Sequence, residues 1–365
     1  MPLTFSVCTA RVQDSEPGYL RYVAIVTMTK PDVLVIGAGV SGLSTALCLL
    51  ESGLTVTVQA ADLPQHTTSA VAGALWGPHL VGTDERVRQW AAVTLDRLRQ
   101  LAGDPATGVR EVAGLVASRA DQPPPPAQPP PPAQPHPRPP GFTEGAGTLT
   151  WCDPTDLPAG YTTGWRYTAP VIAMATYLDY LTDELLRAGG RLHIGRPLAR
   201  LADAANRSHA AAIVNCAGLG ARQLVPDPEL TSVRGQIVVL ANPGLTEFFV
   251  GESEQPEHLT YLFPHATTVV LGGTQQPGDT STQPDPATAA RIVRDCTAIE
   301  PRLAAAPILA HRVGLRPVRP QVRLEAQVID GAVPIVHNYG HGGAGVTLSW
   351  GCARAAAGEV VRLLG

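Results

Sequence analysis

Runs of apolar residues set between glycines predict the first regular elements of the chain. Residues 32–36 read DVLVI, and after the stretch GAGVSG at 37–42 an apolar segment continues to Gly53. A second branched run, LTVTV, occupies residues 54–58. Short continuous apolar runs are typical of strands buried on both faces, whereas the longer segment is typical of a helix. The pattern therefore predicts a βαβ unit with two parallel strands.

The same periodicities predict helices and antiparallel strands further along the chain. Residues 84–101 have the pattern of an amphipathic helix with a polar start, and residues 170–188 form a second helix with a proline near its first turn. Residues 234–240 and 260–274 alternate as antiparallel strands do. A last helix begins near Thr347. The expected fold class is α/β, with a Rossmann-type nucleotide-binding domain interleaved with a β-rich α+β domain.

Two segments do not follow this pattern. Residues 122–140 read QPPPPAQPPPPAQPHPRPP, and proline fixes φ and lacks a backbone donor, so we expect a polyproline II spacer. A ligand for an SH3-type domain is the alternative to a solvated insertion. Residues 1–30 show no strand–turn–helix order and are expected to be an N-terminal extension.

Composition excludes several classes of function. The chain has 27 Lys and Arg against 31 Asp and Glu, a net charge of −4, so no basic excess exists for nucleic acid. The six cysteines include no C-x-x-C pair, so we expect free thiols and no metal site. Lys30 is the sole lysine, which disfavours Schiff-base chemistry. No apolar run of about 18 residues and no signal peptide is present, so a cytoplasmic protein without membrane contact is expected.

A glycine motif indicates a dinucleotide site. Gly37, Gly39 and Gly42 form G-x-G-x-x-G between the predicted strand and helix, with Ala38, Val40 and Ser41 between them. The first glycine permits a tight turn, the second lets the backbone approach a pyrophosphate, and the third allows close helix packing. Asp62, just beyond the second strand, is the candidate for the ribose hydroxyls.

Two further segments favour FAD over NAD. Thr67, Thr68 and Ser69 offer hydroxyls, and the following Gly73, Ala74 and Leu75 include residues small enough to lie against a flavin ring. A second glycine-rich turn leads into the last helix, whose N-terminal dipole suits the flavin O2/N1 edge. The residues of that turn and helix start are Gly340, Gly342, Gly343, Gly345, Val346 and Thr347.

These segments together resemble the D-amino acid oxidase family, which is FAD-dependent and includes D-aspartate oxidase. The resemblance runs from about residue 32 onward through VLVIGAGVSGLSTALCL, TTSAVAGALW, SVRGQIV, GLRPVRPQVRLE and HNYGHGGAGVTLSWG. It implies oxidative deamination of D-amino acids to 2-oxo acids, ammonia and H2O2, by hydride transfer from Cα to flavin N5. The implied partners are a small D-amino acid and O2, and a homodimer is compatible with the resemblance.

The resemblance also implies the substrate-binding residues. Arg316 matches the family's carboxylate-binding arginine, Tyr261 the tyrosine that holds the same carboxylate, and Gly343 the residue whose carbonyl accepts from the substrate amine. No side-chain acid or base is required. Glu257 stands where the mammalian type has a second tyrosine, and the lid segment 251–260 looks shortened. Phe263 is expected to line the side-chain pocket, and the lack of a second cation favours neutral or apolar substrates.

Three alternatives remain open. D-aspartate oxidase would need a second cation, for which His258 and His265 are the candidates. A flavin-binding protein without oxidase activity would act through its proline tract. An NAD-dependent dehydrogenase leaves the second glycine-rich segment unexplained.

The expected domain division follows from the interleaved pattern and the resemblance. The FAD-binding domain is expected to be discontinuous, with the substrate-binding domain and its proline-rich insertion between its parts. The predicted ranges are 1–30 for the extension, 31–80, 155–225 and 310–365 for the FAD-binding domain, and 81–154 and 226–309 for the substrate-binding domain.

Overall fold

The computed structural model describes most of the chain from residue 33 onward. The described residues are 33–77, 81–82, 84–119, 149–201, 203–204, 210–252, 258–329 and 333–365. The predicted N-terminal extension, the proline-rich insertion and Glu257 lie outside the described residues, as does Lys30.

Strands and helices alternate along the described chain. The strands are β1 (Val33–Ile36), β2 (Val56–Ala60), β3 (Val109–Ser118), β4 (Thr150–Trp151), β5 (Thr163–Ile172), β6 (Arg191–Ile194), β7 (Ala212–Asn215), β8 (Thr231–Ala241), β9 (Phe248–Glu252), β10 (Thr260–Pro264), β11 (Thr268–Gly272), β12 (Gln276–Pro277), β13 (Ile308–Ile329) and β14 (Val333–His341). The helices are α1 (Val40–Glu51), α2 (Glu85–Leu101), α3 (Met174–Arg187), α4 (Ala221–Leu224), α5 (Pro286–Ile299) and α6 (Gly345–Leu364).

The described strands form one mixed sheet. Its order is β4-β5-β3-β9-β10-β11-β8-β13-β14-β7-β1-β2-β6, with β12 paired to β8. The five strands from β14 to β6 are parallel, and the predicted βαβ unit is β1-α1-β2. The remaining pairs are antiparallel apart from β3 and β9. The expected α/β class with a nucleotide-binding part and a β-rich part is confirmed.

One long strand, β13, joins the two parts of the sheet. Its first half pairs with β8 and its second half with β14, and the register shifts between Val318 and Arg323. Pro317 and Pro320 lie at this change of partner, where a residue without a backbone N–H is tolerated. The change of partner places Arg316 in the β8-paired half, close to the nucleotide-binding part.

Alternate residues of the strands pack into the core on opposite faces of the sheet. Val33 and Val35 of β1 pack on the side that carries α1, α3 and α6, whereas Leu34 and Ile36 pack on the opposite face. A strand buried on both faces is what the run VLVI predicts. In the antiparallel part, α5 covers one face through Ile292 and its neighbours. Among the described residues, no helix is both long enough and apolar enough to cross a membrane.

Two element boundaries differ from the sequence expectation. The strand expected at 54–58 lies at Val56–Ala60, because β1 pairs with it from Val56 as far as Gln59. The helix expected from residue 170 begins at Met174, because β3 pairs with β5 as far as Ile172 and takes Pro170 into the strand. The domain division remains a prediction, and β5 lies beside β3 in the antiparallel part.

Candidate active site

A cavity of about 570 Å³ runs from the carboxyl ends of the parallel strands into the antiparallel part of the sheet. Ligands in open α/β sheets bind at this edge of the strands. The loop after β1, the end of β2 with Asp62, and the turn after β7 line one end. Tyr261, Phe263 and Arg316 line the other end, and the turn before α6 contributes to the same cavity.

The glycine motif forms the turn from β1 into α1. Gly37 has φ +106°, and a Cβ there would lie 2.5 Å from the carbonyl oxygen of Cys216 on β7's exit turn. A Cβ on Gly42 would overlap the carbonyl oxygen of Gly37. Gly42 does not line the cavity, and its missing side chain allows α1 to pack on the turn. Gly39, the residue before α1, has no side chain to cap the helix, and the first turn carries no acidic residue, so the N-terminal donors beyond the N–H of Val40 suit a phosphate.

The hydroxyls predicted to face a cofactor line the cavity and also bond to protein. Thr67 donates to the carbonyl of Pro64 at 2.7 Å, and Thr68 to that of Leu315 at 3.3 Å. Ser69 Oγ accepts from the N–H of Val40 at 3.0 Å, which leaves its own proton for an anion at the start of α1. The hydroxyl segment is thereby held against both α1 and β13.

The two segments predicted to contact a flavin are bonded to each other. Thr347 Oγ1 donates to the carbonyl of Gly77 at 2.7 Å and accepts from its N–H at 3.2 Å. Ala74 has φ +56°, a conformation that costs a residue with a Cβ roughly 1 kcal/mol or more. The N–H of Ile172 donates to the carbonyl of Ala74 at 2.9 Å, and this hydrogen bond holds Ala74 in that conformation. Gly73, Ala74 and their neighbour Leu75 line the cavity.

The turn before α6 and the start of α6 line the cavity through five of the six predicted residues. These are Gly342, Gly343, Gly345, Val346 and Thr347, and α6 begins without a side-chain cap or an acidic residue in its first turn. Gly340 does not line it: a Cβ there would lie 2.9 Å from Cδ of Arg319, so this glycine serves close packing.

Arg316 and Tyr261 lie together at the far end of the cavity. Nη1 of Arg316 donates to the carbonyl of Thr274 at 3.0 Å and to that of Arg234 at 3.5 Å. Within the described residues, the guanidinium has no acidic partner at ion-pair distance. Burial raises the pKa of Tyr261 to about 12, with the Arg316 charge opposing the rise, so the phenol is a neutral donor near pH 7. A cation and a phenol beside a cavity can bind a carboxylate.

An apolar wall adjoins this pair. The rings of Tyr261 and Phe263 stack with centroids 4.4 Å apart and planes 12° apart. A Cβ on Gly73 would lie 3.1 Å from the Phe263 ring, so this wall meets the predicted flavin segment. The other apolar residues on β8, β9 and the approach to β10 are Ile237, Val250 and Leu259.

Four of the described histidines have structural partners or lie away from the cavity. His258 and His265 do not line it, and burial lowers the pKa of His265 to about 4. His341 does line it, but burial lowers its pKa to about 4, and Nε2 lies 3.0 Å from Oδ1 of Asn338. His337 is buried between Asn215 and Gln327.

Sequence reasoning missed several lining residues. Arg196 and His66 line the cavity together with Asp62, and Gly235 lies directly under Arg316. The glycine in the strand sequence RGQIVVL was a usable signal for Gly235, because an isolated glycine in a strand often marks a close approach. Arg319 and Arg323, in the same strand as Arg316, both form ion pairs with Asp227.

Comparison with known proteins agrees with this geometry. The family model described as DAO, FAD dependent oxidoreductase, matches residues 32–358. A D-amino-acid oxidase of Rubrobacter xylanophilus is 47% identical over 324 residues, 89% of this chain and 94% of the relative. One of Streptomyces coelicolor is 41% identical over 332 residues, 89% and 95% of the two chains. The human D-aspartate oxidase is 33% identical over 334 residues, which cover 89% of this chain and 93% of the relative.

Solved structures support the fold. The glycine oxidase of Geobacillus kaustophilus superimposes with a TM-score of 0.72 at 17% identity, covering 92% of this chain and 95% of the other. The cavity also fits the cofactor, since it joins the starts of α1 and α6, neither of which has a capping side chain on its N-cap residue, and glycines line both turns. With the family match over residues 32–358 added to this geometry, the chain belongs to the DAO family of FAD-dependent oxidoreductases.

Proposed function

We propose that this chain catalyses the oxidative deamination of D-amino acids with neutral or apolar side chains. The amino acid, water and O2 give a 2-oxo acid, ammonia and H2O2. The observation that carries the proposal is the Arg316 guanidinium, which lines the cavity beside Tyr261 without an acidic partner among the described residues. A guanidinium in this setting is suited to a substrate carboxylate.

Residues along the length of the cavity would hold FAD. Residues 37–41, with Gly42 holding the turn, would bind the pyrophosphate, and Asp62 would bind the adenosine ribose. The hydroxyl segment 67–69 and the segment 73–75 would contact the riboflavin part, and the turn before α6 would contact the flavin ring. When bound, FAD supplies a two-electron acceptor for the substrate and is reoxidised by O2.

The chain's own residues orient the substrate. Arg316 and the Tyr261 hydroxyl bind the carboxylate, and the carbonyl of Gly343 accepts from the amine. The side chain packs against Phe263 and the apolar wall. With two groups fixed, one enantiomer alone directs its Cα hydrogen at the isoalloxazine ring, so positioning rather than a side-chain acid or base provides the rate.

D-aspartate oxidation is the second candidate, because the human relative with that name is 33% identical. A second carboxylate requires a second cation beside Tyr261. The two residues considered for that role, His258 and His265, do not line the cavity. The apolar wall therefore favours neutral substrates.

Steady-state H2O2 release with a panel of amino acids tests the proposal. We expect turnover of D-alanine and larger apolar D-amino acids, little turnover of D-aspartate and none of L-alanine. Equal turnover of L-alanine would refute it, and a strong preference for D-aspartate would select the second candidate. A flavin-loaded protein that oxidises no D-amino acid would indicate a binding role instead.

We also propose a cytoplasmic location. The support is the state of the described cysteines, Cys48, Cys152, Cys216, Cys296 and Cys352, which are all free thiols. Fractionation of the source cells tests the location. The homodimer compatible with the resemblance is tested by sedimentation of the FAD-loaded protein.

A further inference from the structure

The Arg316 guanidinium rests on a strand position that has no side chain. In the pairing of β8 with β13, Gly235 faces Gly314 and Arg316 faces Val233. A Cβ on Gly235 would lie 2.5 Å from both Nη1 and Nη2 of Arg316 and 2.6 Å from Cζ. Real Cβ contacts are not this short, so the guanidinium can occupy its place only because residue 235 is a glycine.

Two carbonyl oxygens fix the orientation of the guanidinium. They belong to Thr274, 3.0 Å from Nη1, and Arg234, 3.5 Å from the same atom. In the described part of the chain, Nε and Nη2 donate to no protein acceptor. Nη1 is thus the anchored end, and the other donors of the planar fork are available for a carboxylate.

Residues on the opposite face of β8 hold these carbonyls in place. Side chains alternate along a strand, so Arg234 and Gln236 point away from the face of Gly235. The buried Arg234 donates to the carbonyls of Ser281 at 3.0 Å and Gln283 at 2.7 Å. Thr274 Oγ1 accepts from the N–H of Gln236 at 2.9 Å. The segment that carries the Thr274 carbonyl is therefore fixed to β8 from behind.

We propose that Gly235 is a positioning residue that sets the plane of the Arg316 guanidinium for carboxylate binding. The inference rests on the proposed function, in which Arg316 binds the substrate carboxylate. A methyl group at residue 235 would meet the end of a flexible side chain rather than backbone. The chain with Gly235→Ala therefore folds, and its guanidinium is displaced from the anchoring carbonyls.

The test uses the FAD-loaded protein and two probes. Propanoate, which is alanine without its amine, reports the carboxylate contact by calorimetry, and D-alanine reports turnover. We expect Gly235→Ala to weaken propanoate binding roughly tenfold or more and to raise the KM of D-alanine by a similar factor, with a smaller change in kcat. The FAD content and Tm should remain those of the wild type.

Two comparisons separate positioning from general damage. Gly358→Ala, at a helix position with open space around it, is the matched control and should change neither binding nor KM. In the Arg316→Ala background, Gly235→Ala should have no further effect on propanoate affinity, because the group that it displaces is gone.

The outcomes distinguish this inference from the function that it refines. If the wild type oxidises D-alanine and Gly235→Ala binds propanoate as tightly as the wild type, the positioning role is wrong and the function stands. Equal losses of propanoate affinity from Gly235→Ala with and without Arg316 also overturn it. A wild type that neither binds propanoate nor oxidises D-alanine refutes the function and the inference together.

Discussion

The two ends of the cavity are built differently. At the nucleotide end, turns that follow neighbouring parallel strands present backbone donors, and Gly37 and Gly42 contribute by having no side chain. At the substrate end, two side chains from separate antiparallel strands, Tyr261 of β10 and Arg316 of β13, supply the chemistry. The nucleotide end is built from segments of one βαβ unit, whereas the substrate end depends on the register of strands that are distant in sequence. Substitutions should therefore separate cofactor binding from substrate binding.

Arg316→Ala should have the largest effect on the substrate end. Removing one partner of a partly buried charge-assisted pair costs enough to lower kcat/KM for D-alanine at least about a hundredfold. The yellow FAD-bound form should still purify, because the proposed pyrophosphate site at the glycine turn does not include Arg316. Steady-state H2O2 release and the flavin absorbance measure both effects, with the exposed Arg294→Ala as the control. Loss of FAD from the Arg316 variant would contradict the separation.

Gly42→Ala should affect the opposite end. Its Cβ would overlap the backbone carbonyl of Gly37, which cannot move without shifting the start of α1. We expect FAD affinity to fall by about tenfold or more, with a lower Tm. The KM of the remaining loaded fraction for D-alanine should be unchanged. FAD retained after dialysis is the measurement, and Gly358→Ala, also within a helix, is the control.

Tyr261→Phe should have a moderate effect confined to the substrate end. The substitution removes one hydroxyl but keeps the ring that stacks on Phe263. A hydrogen bond to a charged group is typically worth a factor of about ten or somewhat more, so the KM for D-alanine and the propanoate dissociation constant should rise by that factor. An unchanged propanoate affinity would show that the phenol does not contact the carboxylate.

Acid should destabilise the protein through its buried histidines. Burial lowers the pKa of His265, His337 and His341 to about 4 from 6.5. Between these values the unfolded chain binds more protons than the folded one, so the free energy of unfolding falls as pH falls from about 6.5 to about 4. Urea unfolding at several pH values measures this slope. His265→Gln should reduce the slope of the free energy of unfolding against pH. A slope identical to that of the wild type would contradict the lowered pKa of His265.

Local residue spacing predicts the nucleotide end, whereas Tyr261 and Arg316 at the substrate end are predicted only by the resemblance to a family. Gly37 and Gly42 follow from spacing within one segment, because the turn and helix that use them are local. The contacts that hold the Arg316 guanidinium do not follow from local spacing. Its carbonyl partner on Arg234 is 82 positions away, and the contact exists only because β13 pairs with β8 before it changes to β14. The alternation within a strand fixes which face is buried, but it does not specify which distant strand becomes its neighbour.

The most direct test of the account is an anaerobic titration of the FAD-loaded protein with D-alanine and then, in a separate sample, L-alanine. The account predicts that D-alanine removes the oxidised flavin absorbance within the time of mixing and that L-alanine leaves it unchanged. Loss of the absorbance with both enantiomers, or with neither, would contradict the claim that Arg316 and Tyr261 hold a D-amino acid against the cofactor.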